Sequence, residues 1–254
     1  MNLDERRRLA DANAVAAFSL AAERLGERRG GRSRFGAVDA VAVGIDIAFF
    51  NPILAFDPAA TAADVLAAVA WVEGRGLPAS VQVSSAVGGG VRAALGELGM
   101  AADSWASPAM VLEPIPVTPP PPAGVAIRVG GADLFDDWHA ATESGQTFRR
   151  IFGPAFMDDP AARFAVGYLD GLPVSAAAAI RSGSTVGIYS VATQERARRR
   201  GIGRAVTWAA IEAGAAAWSG TIAVLQSSEL GLTVYRSMGF EEIATYTAYQ
   251  RPAP

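Results

Sequence analysis

The chain has 254 residues, 51% of them hydrophobic, no cysteine and a formal net charge of -3. This describes a globular protein with a sizeable core and excludes a disordered chain, disulfides and thiol chemistry. A lone histidine argues against a metal site, and the lack of a basic excess argues against nucleic acid as a partner, since such affinity comes largely from neutralising phosphates.

No apolar run reaches the length of a membrane span; "AVAVGIDIAFFNPILAF" is interrupted by Asp46 and Pro52. The start, "MNLDERRRLADANA", lacks a signal peptide's apolar core, so the expected location is the cytoplasm, away from membranes. In chain order, Leu9, Ala12, Val15, Phe18, Ala22 and Leu25 recur at helical spacing, predicting a helix over 4–28. Glu27–Arg34, "ERRGGRSR", reads as a mobile solvated loop. One or two strands follow, broken near Asn51 and Pro52. "TAADVLAAVAWVEGRG" reads as a helix with Thr61 at its N-cap and Asp64 at the third position. "ASVQVSS" is a strand, "GVRAALGELGM" a helix and "SPAMVLEPI" a strand.

"EPIPVTPPPPAG" then holds four consecutive prolines, a semi-rigid spacer. It divides the chain into 1–113, a linker at 114–123, and 124–254. The second part opens with a strand, "GVAIRVG", then a helix over 133–143 and a helical region over 147–157. Three antiparallel strands follow, turning at Asp170–Gly171 and Ser182–Ser184. A helix over 202–217, a strand "TIAVLQSS", a helix "LGLTVYRSMG" and a strand "EEIATYTAYQR" complete it. "VQVSS…AALGELGM" in the first part echoes "AVLQSS…VYRSMGF" in the second, either a faint repeat or the common look of strand–helix units.

"ARRRGIGRAV", 197–206, lies where a strand passes through a loop into a helix. A helix start offers unpaired N–H groups and partial positive charge, a natural anion site. Gly201 and Gly203 let phosphate approach the backbone, with Arg198, Arg199, Arg200 and Arg204 around them. The dinucleotide pattern fails because Val206 stands where a third glycine is required, and the P-loop fails for want of lysine.

The spacing Arg198-x-x-Gly201-x-Gly203 and the ending "VYRSMGF", with Tyr235 four residues before Gly239, make 124–251 similar to the GNAT superfamily of acetyl-CoA-dependent N-acetyltransferases. The resemblance implies an α/β fold with a mixed, mostly antiparallel sheet flanked by helices, in tandem with a smaller, degenerate α/β half. That half has no arginine and no G-x-G in "AFDPAATAADV", so it lacks a phosphate cradle. The resemblance further implies that two strands splay into a wedge. Val191, Ala192 and Thr193 would pair with pantetheine, and backbone from Arg199 through Arg200, Gly201, Ile202, Gly203 and Arg204 to Ala205 would hold the pyrophosphate. Arg198 belongs to the same set, and Gln226, Ser227 and Ser228 would border the wedge.

By resemblance Tyr235 would protonate the leaving thiolate; its other reading is a buried aromatic with a satisfied hydroxyl. The strand carboxylate found in many members is missing, since "STVGIYSVAT" has Thr185 and Gly187 there. Glu143 is the preferred base; a solvated helix-end carboxylate or a water relay reads equally well. His139 reads as structural, and Asp158 and Asp159 are further carboxylates in the region. The expected reaction is direct acetyl transfer in a ternary complex to a primary amine of a small molecule or peptide, without metal, in a chain that a homodimer would also suit. The alternative is a non-catalytic acyl-CoA-binding or regulatory module.

Overall fold

A computed structural model describes residues 1–252, which fall into two compact units. The first holds Met1–Ala17, Met110–Gln226 and Leu230–Glu241. The second holds Phe18–Ala109, Ser227–Glu229 and the chain from Glu242.

The chain begins with helix α1 (Leu3–Leu25), whose first turn carries Asp4 and Glu5, favourable at the positive end of the helix dipole. Strands β1 (Gly31–Phe35) and β2 (Val38–Ala42) form a hairpin in which Gly31 faces Ala42 and Phe35 faces Val38. This corrects the second half of the loop expected over 27–34; residues 27–30 form the turn that leads into β1. β1 has a polar, glycine-bearing sequence, but its residues alternate in exposure, Arg32 reaches Asp39 at 3.0 Å, and Phe35 packs edge-on against Trp71. β3 (Pro52–Ala55), helix α2 (Ala62–Glu73), β4 (Ser80–Ser84), helix α3 (Gly89–Glu97) and β5 (Ala101–Leu112) follow. β3 and β4 run parallel, with α2 as the crossover. Val65, Ala68, Val69 and Val72 of α2 pack on Val38, Ile53, Val81 and Val83 to form this unit's core.

The C-terminal half contains β6 (Val125–Gly130), short helices α4 (Phe135–Ala141), α5 (Gln146–Ile151) and α6 (Pro154–Met157), and β7 (Ala162–Leu169), β8 (Leu172–Ser182) and β9 (Thr185–Thr193). Helix α7 (Ile202–Trp218), β10 (Ile222–Gln226), helix α8 (Glu229–Ser237) and β11 (Glu241–Gln250) close the chain. The sheet of the first unit runs β10-β9-β8-β7-β6, antiparallel from β6 to β9 and parallel between β9 and β10. α7 is the crossover between those two parallel strands, and Val206 and Ile211 pack in a core with Ala177, Val186 and Ile188. Both side chains are fully buried, each contributing about 1.5–3 kcal/mol. β11 serves the second unit: Tyr246 faces Ser84, Gln250 faces Ser80, and the Tyr246 ring stacks on Phe56 at 4.2 Å.

Candidate functional site

β9 and β10 pair only from Thr185–Ile222 to Ile188–Leu225. β9 continues to Thr193 past the end of β10 at Gln226, so the edge of β9 from Tyr189 onward has no paired strand on that side. On the β8 side the ladder is interrupted. Ala178 faces Tyr189 and Ala176 faces Ala192, leaving Ser190 and Val191 together opposite Ala177. This is a β-bulge, and Ser190 adopts a left-handed φ of 51°. Val191, Ala192 and Thr193 lie half-buried beyond it.

Ser175 on β8 fixes the end of β9. Its hydroxyl donates to the Ala192 carbonyl at 2.7 Å and lies 2.8 Å from Thr193 Oγ1. The loop then folds back, with Arg198 Nε donating to the Thr193 carbonyl at 3.1 Å. Arg199 takes a left-handed φ of 60°, and Gly201 one of 75° at the N-cap of α7, where no side chain caps the helix. The first intrahelical bond at this end runs from Ala205 N–H to the Gly201 carbonyl at 3.0 Å, so the earlier amides of the turn have no partner within the helix. Gly203 permits close approach: a Cβ there would lie 2.8 Å from Thr193 Oγ1. Arg198, Arg199, Arg200 and Arg204 are exposed around this turn, while Ile202 and Ala205 anchor it in the core. Bare amides, positive helix end and arginines form a cradle for a polyanion.

Residues 132–223 match the family described as the acetyltransferase (GNAT) domain. The segment similar to this domain contains β7, β8, β9, the loop at 194–201 and α7. Among solved structures, a GCN5-related N-acetyltransferase from Kribbella flavida is similar at 22% identity and a TM-score of 0.72, covering 95% of this chain and 96% of that one. One from Sphaerobacter thermophilus is similar at 18% identity and 0.61, with coverages of 97% and 95%. A tandem GNAT protein from the clavulanic acid biosynthesis pathway matches at 12% identity and 0.61, with coverages of 99% and 96%. No curated protein matches the chain in sequence. The fold is a GNAT-like mixed sheet with helices, in tandem with a second α/β unit.

The other expected residues of the GNAT site are spread more widely. Gln226 is half-buried just past the last paired residue of β10. Ser227 and Ser228 belong to the second unit. There Ser227 is buried, its N–H donating to the Pro108 carbonyl at 2.9 Å and its hydroxyl to the Ser228 carbonyl at 2.8 Å, and Ser228 is exposed. Tyr235 is buried on α8 with its ring edge-on to Phe240, and burial pushes its phenol up to about 12. Glu143 is exposed just after α4 at a left-handed φ of 52°. Ser144 N–H bonds the His139 carbonyl and Glu143 N–H the Ala140 carbonyl, a Schellman turn that holds Glu143 in place. This turn adjoins the site, because the Gln194 amide donates to the Ala140 carbonyl at 2.8 Å. His139 is buried against Phe135 and Trp138, with Nε2 on the Phe152 carbonyl; burial lowers its pKa.

Sequence reasoning missed Ser175 and the bulge at Ser190. Neither carries a local signature: a buried serine and a polar strand residue gain meaning only from the partner strand.

The second unit repeats the β–α–β plan without the cradle. β3 pairs with β4 along its whole length, from Pro52–Ser80 to Ala55–Val83, so no free edge opens between them. At the start of α2, the Thr61 hydroxyl accepts from Asp64 N–H while the Asp64 carboxylate accepts from Thr61 N–H at 3.1 Å, a capping box. Hydrogen bonds from Thr61 hold the Asp64 carboxyl below its usual range. This helix start is capped and carries a fixed negative charge, unsuited to phosphate.

Proposed function

We propose that the chain is an acetyl-CoA-dependent N-acetyltransferase acting on a primary amine of a small molecule or peptide, by direct attack within a ternary complex. The observation that carries this reading is the uncapped, glycine-bearing start of α7 adjoining the unpaired end of β9. Acetyl-CoA supplies an activated acyl thioester. The amides from Arg199 to Arg204, with Arg198 and the Arg204 side chain beside them, hold its pyrophosphate, and Ala205 closes the turn behind them. The free edge at Val191, Ala192 and Thr193 pairs with its pantetheine arm, with Gln226 at the end of β10 beside it. An N–H at the bulge stabilises the developing oxyanion. Tyr235 donates its proton toward the departing thiolate, and Glu143 receives the amine's proton through water. The second unit, lacking a cradle of its own, serves as a companion domain, and 114–123 is the linker between the two GNAT-like halves.

The test is calorimetric titration with acetyl-CoA, followed by a screen of amines monitored by free-thiol release. Saturable acetyl-CoA binding with amine-dependent thiol release supports the enzyme. Gly187, where β9 offers no carboxylate, favours the alternative of a non-catalytic acyl-CoA-binding module, which predicts binding with no thiol release for any amine.

A further inference from the structure

β9 has no side chain at Gly187, and a residue distant in sequence fills the space. Asn13 of α1 is fully buried there, and a Cβ built on Gly187 would run into its side-chain amide. Asn13 Nδ2 donates to the Ile180 carbonyl at 3.0 Å and to the Thr185 carbonyl at 3.5 Å. Its Oδ1 accepts from the Tyr189 hydroxyl at 2.6 Å. The side chain thus ties the end of β8, the start of β9 and the residue immediately before the bulge. Burial raises the Tyr189 pKa, so the phenol stays a neutral donor to Asn13. An amide cannot accept the amine's proton at neutral pH, so this slot does not house a general base. What it can do is geometric. Ser190 holds a left-handed φ that costs free energy, and such a conformation persists only where its surroundings determine it.

We propose that Asn13 is a positioning residue for acyl transfer: by holding Tyr189 it fixes the Ser190–Val191 bulge, so that the free amides of β9 meet the acyl carbonyl. This rests on the acetyl-CoA reading above. Its effect is specific to the acetyl group, because the cradle at Gly201 and Gly203 does not involve Asn13.

The test compares acetyl-CoA with CoA by calorimetry on the full chain. The unsubstituted protein is expected to prefer acetyl-CoA by roughly tenfold, the scale of one well-placed hydrogen bond. In Asn13→Ala, Tyr189→Phe and Gly187→Ala the preference falls below about twofold, while the CoA Kd changes less than about threefold. The Asn13→Ala/Tyr189→Phe double variant shows no further loss, as expected of two groups acting through one contact. Tyr189→Phe keeps the ring in place and decides the question if Asn13→Ala does not fold. Retained preference in Tyr189→Phe overturns the proposal, as does an equal loss of CoA affinity or the absence of any preference in the unsubstituted chain. If neither ligand binds the unsubstituted chain, the acetyl-CoA reading itself fails and takes this one with it.

Discussion

Tyr235 is buried against Phe240, and burial keeps its phenol protonated up to about pH 12. It can therefore offer a proton across the whole range in which an amine becomes neutral. Tyr235→Phe should lower kcat by roughly 100-fold while leaving the acetyl-CoA Kd within about twofold, measured by thiol release and calorimetry. Because the phenol titrates so high, no limb of the kcat–pH profile below about pH 10 should disappear in this variant. An unchanged kcat removes Tyr235 from the acid role. Glu143 carries two separable duties. Its left-handed backbone closes α4, a place that suits glycine, so Glu143→Gly should raise stability by about 1 kcal/mol in denaturant unfolding. Its carboxylate is the proton acceptor proposed above, so Glu143→Gln should lower kcat several-fold with stability unchanged; no change in kcat leaves only the cap. The motif register is what singles out Tyr235 in the sequence, and its chemical role rests on the kinetics above. The cap at Glu143 stayed hidden, because a glutamate there carries none of the usual glycine signal.

The two crossover helices, α2 and α7, are matched in plan and opposite at their first turns. At α7, Gly203→Ala would press a methyl group against Thr193 Oγ1 and push the helix start away from β9. Acetyl-CoA affinity should fall at least about tenfold. At α2, Thr61→Ala should cost about 1 kcal/mol in stability and leave acetyl-CoA binding unaltered, read by thermal unfolding and calorimetry. Reversed results would assign the cradle to the wrong helix. These first turns were legible because caps and glycine spacings are local. The Thr61–Asp64 box and the start of α7 at Ile202 stand where the sequence places them. β1 was not legible, since its strand character comes from β2 and Asp39 rather than from its own polar sequence. The bulge was hidden for a similar reason: an extra residue in β9 is defined only against β8.

At the scale of the whole molecule, the single histidine contributes to acid sensitivity in the range just below neutrality. Burial lowers the His139 pKa in the fold, while the unfolded chain protonates near its ordinary 6.5. The unfolded state binds the extra proton, so stability is lost as pH falls through about 6.5 toward the lower folded value. The melting temperature should drop between pH 7.5 and 5.5, and His139→Leu should flatten that drop; an unflattened slope would place it on the carboxylates. The division of the chain was only partly readable. The compact units do not follow chain order: the proline run lies within the first unit, Met1–Ala17 joins the later residues, and the chain from Glu242 joins the earlier ones. Arg6 shows why, pairing at 2.9 Å with both Glu113 and Glu241, contacts that no local pattern announces. β11 shows the other half of the exchange, laid along β4 some 160 residues upstream, with Thr245 N–H reaching the Ser85 hydroxyl. Its consequence is one of timing. As the polypeptide leaves the ribosome, β4 emerges some 160 residues before the strand that covers it, and that edge stays open over the whole interval. Folding by installments is therefore closed to this unit: the ladder begun at β4 waits for a strand made some 160 residues later.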